Sequence, residues 1–143
     1  MKGRVLQQYL QPKAIEAEAN DVEEADGLDD LGAFGFLRGV RDRAIMLELR
    51  HKDGSMSAFA YAWLDRCDFD PSEGITLHFS GRTVKITGRN LGAEIRPNVR
   101  LFQAVLRHRV PWIQEANEPS AMEAPRSAVV IERIDVTGSG GRP

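Results

Sequence analysis

Residues 45–64 read Ile-Met-Leu-Glu-Leu-Arg-His-Lys-Asp-Gly-Ser-Met-Ser-Ala-Phe-Ala-Tyr-Ala-Trp-Leu, and this stretch decides the fold. An alternating run, Ile45 to Leu49, leads into Asp53-Gly54, and a second strand-like run follows from Met56 to Leu64. Asp-Gly is a favoured pair for a two-residue hairpin loop, because both residues tolerate positive φ. That loop would set Leu49 opposite Ala58, Leu47 opposite Ala60 and Ile45 opposite Ala62. One face then carries aliphatics against alanines. The other carries Met46 and Glu48 with an aromatic ladder of Phe59, Tyr61 and Trp63. A slip of one residue would exchange the two faces.

A second hairpin is expected downstream. Ile75, Leu77 and Phe79 alternate with Thr76, His78 and Ser80, and Gly81-Arg82 suits a tight loop with glycine first. Thr83–Thr87 would return, setting Val84 and Ile86 against Phe79 and Leu77, and Lys85 against His78. Clean alternation belongs to an antiparallel sheet with one buried face. Further strands are expected at Phe34–Val40, Arg66–Phe69 and Ala128–Val136, the last paired within the chain or with a second copy. Residues 114–126, with Pro119 and Pro125, read as loop, and Trp112-Ile113 as a short turn.

Asn98 is positioned to cap a helix over Val99–Arg109. Val99, Phe102, Val105, Leu106 and Val110 recur at helical spacing, and Pro111 ends the run. The fold class expected is α+β: an antiparallel β-meander of five to six strands, partly curled, packed by this C-terminal helix. Its domain would span residues 33–136. Before it, residues 1–11 are expected to form a short helix, and residues 13–32 a flexible acidic arm whose eight carboxylates stand against Lys13 alone. Such composition buries too little surface to offset ordering entropy. Residues 137–143 are expected to be a flexible tail.

Composition narrows the functional classes. The chain has 143 residues and a formal net charge of −2, which gives no overall bias toward nucleic acid or membranes. Cys67 is the only cysteine, so neither an internal disulfide nor a cysteine-based zinc site can form. A single thiol fits a cytoplasmic setting. No run approaches the roughly 20 apolar residues that span a bilayer.

Three segments carry a resemblance: IMLELRHKDG with FAYAWLDRCDFDPSEGITLHFSG, then VKITGRNL, then LFQAVLRHRVPWIQE. Over Ile45–Glu115 the chain resembles a set of small bacterial proteins carrying a domain of unknown function. The resemblance implies a bacterial origin and no activity. Strands followed by a helix are also similar to small pleckstrin-like modules. An Sm-like barrel normally places its helix first, so the chain departs from it.

Two constellations suggest binding. Between Ser80 and Val110, seven basic residues stand against Glu94 alone. Arg82, Lys85, Arg89, Arg96 and Arg100 are the candidate anion-binding set, since arginine forks suit phosphates. The plainer reading is a solvated surface whose arginines pair with acids elsewhere. The acidic arm is either a solubility tail or an internal competitor for that basic face. The second constellation is the Phe59, Tyr61, Trp63 ladder, which needs cover from the N-terminal helix, a second subunit or a ligand, unless the sheet curls and both its faces are core.

Catalytic and metal motifs are weak. Asp68, Asp70 and Ser72 alternate as in a calcium loop, but Glu73 stands where glycine is needed and Phe79 where the bidentate glutamate belongs. Cys67 and His78 are expected on opposite faces of their strands, and His51 and His108 lack zinc-pair spacing. No catalytic residue, metal or cofactor is assigned. The expected role is a non-catalytic protein-interaction module with a protein partner or a second copy. Nucleic-acid or anionic-ligand binding is the alternative, a small enzyme comes third, and no membrane association is expected.

Overall fold

The computed structural model describes residues 27–138. The short helix expected at 1–11, most of the acidic arm and residues 139–143 of the expected tail lie outside the described residues, while Thr137 and Gly138 of that tail belong to the last strand. Two compact units share the described chain: residues 27–29 with 37–42, and residues 30–36 with 43–138. In the smaller unit, Arg38 N–H donates to Gly27 O, Arg38 Nε lies 3.2 Å from Asp29 Oδ1, and Val40 is exposed. Leu28–Asp30 (β1) and Gly35–Leu37 (β2) form a two-stranded sheet. Regular structure therefore begins inside the segment expected to be an acidic arm. Val40 lies outside the strand expected to hold it.

The larger unit is mostly β. Strands hold 49% of the described residues and helices 13%, so sheet pairing sets the class. Met46–Arg50 (β3) pairs antiparallel with Met56–Ala60 (β4), and Trp112–Gln114 (β10) joins β3 in parallel. A 3-10 turn, Tyr61–Trp63, leads to Leu64–Asp70 (β5), Gly74–Phe79 (β6) and Arg82–Arg89 (β7). These three strands make an antiparallel meander. Val130–Gly138 (β11) adds to β7 at its far side, giving the order β11-β7-β6-β5. Glu94–Arg96 (β8) and Val99–Arg100 (β9) form a separate ribbon. The sheets do not close.

Both hairpin registers differ from the sequence reading, with opposite consequences. In the first, Leu49 pairs with Ser57 and Leu47 with Phe59, one residue away from expectation. Asp53 Oδ1 accepts from both the N–H and the hydroxyl of Ser55, at 2.8 and 2.6 Å, and only Gly54 takes positive φ, at 94°. A type I′ loop needs positive φ at both central residues. The loop therefore closes over three residues, Lys52–Gly54, and every β4 side chain changes face. In the second hairpin the loop is Ser80-Gly81, so Leu77 pairs with Val84 and Ile75 with Ile86. That shift is two residues, which preserves faces. Ile75, Leu77, Phe79, Val84 and Ile86 are all buried, as expected.

The late helix is shorter than its sequence pattern. Leu101–Leu106 (α1) is helical, while Val99 and Arg100 belong to β9 and Asn98 takes a φ of 66° in the preceding turn. Asn98 therefore does not cap the helix. The buried stripe is Leu101, Ala104 and Val105, and Leu106 is exposed. A Schellman closure ends it: Arg109 N–H donates to Ala104 O and His108 N–H to Val105 O, both at 2.9 Å, with His108 at a φ of 57°. Residues 118–123, expected as loop, form a second helix (α2). Asn117 caps it by accepting from Ser120 N–H. Trp112-Ile113, expected as a turn, lies in β10.

One core fills the unit. Leu47 and Leu49 of β3 meet the buried side chains of β6 and β7, Ile131 and Ile134 of β11, and Leu101 and Val105 of α1. Gly88 lets β11 approach, since a Cβ there would meet Val130 O at 2.0 Å. Between the sheets runs Pro111–Ala116. Gln114 N–H donates to Ala33 O, Glu115 N–H to Arg50 O, and Ala116 N–H to Ile131 O. The buried Glu115 carboxylate completes the seam. Its Oε1 accepts from Lys52 N–H at 2.8 Å and its Oε2 from Ile134 N–H at 2.6 Å. Glu115→Gln turns one acceptor into a donor facing an N–H, and urea unfolding should show a loss of about 1–3 kcal/mol.

Candidate functional site

The sequence of β4, Met-Ser-Ala-Phe-Ala, has no charge and no proline. It lies at the edge of the order β10-β3-β4 and, among the described residues, pairs with β3 alone. Phe59 faces inward with Leu47 and stacks on Phe79 at 4.9 Å between ring centroids. Met56, Ala58 and Ala60 face outward beside Arg50, Glu48 and Met46. The charges on this face satisfy each other: Arg50 Nε lies 2.7 Å from Glu48 Oε1, and the guanidinium covers the Trp112 ring at 4.4 Å. What remains on it is apolar, with Met46 44% and Met56 61% exposed, and beyond the strand ends Ile45 and Trp63 are exposed as well.

Tyr61 explains why the strand stops. Its hydroxyl donates to Val110 O at 2.7 Å, and its ring stacks on His108 at 4.5 Å. That anchor turns the chain into a 3-10 step, so the period of two ends at Ala60. The expected aromatic ladder is thereby dismantled. Phe59 is on the core side, Tyr61 is buried, and only Trp63 is exposed. Burial holds the Tyr61 phenol above its ordinary range, helped by the neighbouring Cys67 and opposed by the Val110 hydrogen bond.

The five basic candidates are carried by two separate sheets. Arg82, Lys85 and Arg89 lie along β7, and Arg96 and Arg100 on the β8–β9 ribbon. Lys85 Nζ is 3.0 Å from Glu73 Oε1, Arg89 Nε 3.4 Å from Glu132 Oε2, and Arg100 Nη2 3.7 Å from Glu94 Oε1. Arg89 Nη2 also donates to Ala121 O. Arg82 packs beside Gly138.

The chemistry-bearing side chains are similarly engaged. Cys67 pairs with Leu77 and packs on the core, while His78 pairs with Arg66 on the outer face, 3.3 Å from Asp68. Burial raises the Cys67 thiol pKa, with Asp68 and Asp65 adding to it, which lowers thiolate reactivity at neutral pH. Asp70 Oδ1 accepts from the N–H and hydroxyl of Ser72 in a local turn. Among the described residues, no group of three or more His, Cys, Asp or Glu is placed to hold a metal ion. A cavity of about 400 Å³ lies between Ala33, Glu115, Ala116, Asn117, Val129 and Ile131. Both Glu115 oxygens already accept backbone N–H groups, and Asn117 is spent on its cap.

No family model, curated protein or solved structure matches the chain. Among the described residues, no helix is long and apolar enough to cross a membrane.

Tyr61→Phe should cost about 1–3 kcal/mol in urea unfolding, because Val110 O loses its donor in a buried site. The phenol pKa is raised in the fold, so its contribution is complete below pH 10.0, the ordinary value, and declines as pH rises past it. Stability of the parent chain should fall on that alkaline side, and the phenylalanine variant should show less of the decline.

Proposed function

We propose that this chain is a non-catalytic protein-interaction module that engages its partner along β4. The carrying observation is the β4 edge, which is unpaired among the described residues, lacks charge and proline, and has exposed Ile45, Met46, Met56 and Trp63 in or next to it in sequence or register. Sheet edges normally carry lysine, proline, a bulge or a cover, because unpaired backbone groups recruit other strands. None of the first three occurs in β4, and an exposed apolar patch marks interaction sites. The lone free thiol Cys67 supports a reducing, cytoplasmic setting. Membership of the set of small bacterial proteins stays within this proposal. Anion binding through the basic set is less favoured, since Lys85, Arg89 and Arg100 each face a carboxylate.

The test compares the full chain with a Met56→Glu, Trp63→Ser double variant, both shown to be folded by circular dichroism. Each is immobilised and exposed to an extract of its source organism, and retained proteins are quantified by mass spectrometry. At least one protein, the chain itself included, should fall about tenfold in the variant, the loss expected when an interface anchor worth roughly 1.4 kcal/mol is removed. Identical retention profiles would sink the reading.

A further inference from the structure

We propose that the occupant of the β4 edge is a second copy of this chain, docked as antiparallel β4–β4 pairing about a twofold axis at Ala58. This rests on the reading of β4 as the interaction site and adds the identity and register of the partner.

Backbone bonding supplies the first argument. His51 N–H donates to Ser55 O, and Tyr61 N–H donates to Ile45 O. In an antiparallel ladder, bonded pairs recur every second residue. The bonds to β3 are therefore made by Ser55, Ser57, Phe59 and Tyr61. The N–H and C=O groups of Met56 and Ala58 and the N–H of Ala60 point to the open side, while the Ala60 C=O opens the 3-10 turn as its N-cap. A twofold axis at Ala58 sets Met56 against Ala60 of the second copy, Ala58 against Ala58, and Ala60 against Met56. Those are the three residues with outward-pointing N–H groups, so each of them falls in a bonded pair. Moving the axis by one residue brings in Gly54 of the loop or Ala62 of the 3-10 turn, and loses pairs at the other end.

Side chains supply the second argument. On the outer face, each long Met56 lies against a short Ala60, and the centre is alanine on alanine. On the inner face, Ser57 lies against Phe59. Cross-strand neighbours interact directly, and like charges placed opposite destabilise. Here no charge opposes another, because the nearest ones, Glu48 and Arg50, belong to β3 and pair with each other. Met46 sits beside Ala60 in its own sheet, so it meets Met56 of the second copy across that alanine. The strand is self-complementary, as an isologous interface requires.

Sedimentation velocity on the full chain tests this across a concentration series. The chain mass is 15.9 kDa, and a twofold rise with concentration is expected. Ala58→Glu and Ala58→Lys should each remain monomeric, because each places like charges opposite at the axis. An equimolar mixture of the two should restore the doubled mass. Both substitutions are at an outward, exposed position, so β3–β4 pairing is retained. A parent chain monomeric throughout, with differential capture by the Met56→Glu, Trp63→Ser comparison, would overturn the second copy and leave the interaction reading standing. A dimer indifferent to both Ala58 variants would place the interface elsewhere and overturn the proposal. A monomer with β4 amides protected from hydrogen exchange would show that residues 1–26 of the same chain cover the edge, and would overturn it too.

Discussion

The Glu115 carboxylate is the tie on which the arrangement of the two sheets depends. It is the one buried charged side chain among the described residues, and its oxygens accept from Lys52 N–H at the tip of one hairpin and Ile134 N–H on the outer edge of β11. Burying a carboxylate is costly unless its lone pairs are met. Here they are met by backbone donors that no strand satisfies. The cost of burial is thereby turned into specificity, because only one placement of β11 against the first hairpin meets both oxygens. The flanking residues follow suit, as Gln114 and Ala116 hydrogen-bond to Ala33 and Ile131 on either side.

That seam decides which edges remain open. On one side, the segment after β10 occupies the outer edge of β11 through Ala116 and Glu115. The opposite ends of the two sheets, β4 and β5, have no such cover among the described residues. They differ in sequence. Leu64–Asp70 carries Asp65, Arg66, Asp68 and Asp70, which is how an edge is ordinarily kept from recruiting strands. Met56–Ala60 carries nothing comparable. The contrast within one molecule supports the proposal at β4, because β5 carries the ordinary protection of an edge and β4, among the described residues, carries none.

How much of this was legible in the sequence depends on the range of the interaction. The core of the second hairpin was readable, because Ile75, Leu77, Phe79, Val84 and Ile86 alternate strictly and a loop misplaced by two residues leaves faces unchanged. The first hairpin was not, because Asp53 bonding to Ser55 favours a three-residue loop over the two-residue one its Asp-Gly pair suggests. That single residue moved Phe59 into the core and Met56 and Ala58 out. The helix at Leu101–Leu106 was readable in kind but not in phase, since a cluster of apolar residues fits several starting points and β9 claims Val99. Parallel pairing of Trp112–Gln114 with β3 had no local signal, and neither did Glu115. Both depend on partners more than 50 residues away in sequence, Glu48–Arg50 for the strand and Lys52 for the carboxylate.

Tyr61 links these levels. Its residue type fits a strand by propensity, and alternation alone would carry the strand through to Trp63. The bond from its hydroxyl to Val110 O and its stack on His108 lie outside the sheet, and they outweigh continued pairing. His108 can offer that ring because it takes the left-handed position that closes α1, a conformation non-glycine residues adopt at a cost of roughly 1–2 kcal/mol. The short helix, the 3-10 step and the five-residue length of β4 are therefore one arrangement. Shortening the strand limits the open edge among the described residues to Met56, Ala58 and Ala60. Under the proposed twofold pairing each copy's β4 edge is used up by the other, so closure would follow from symmetry and not from strand length.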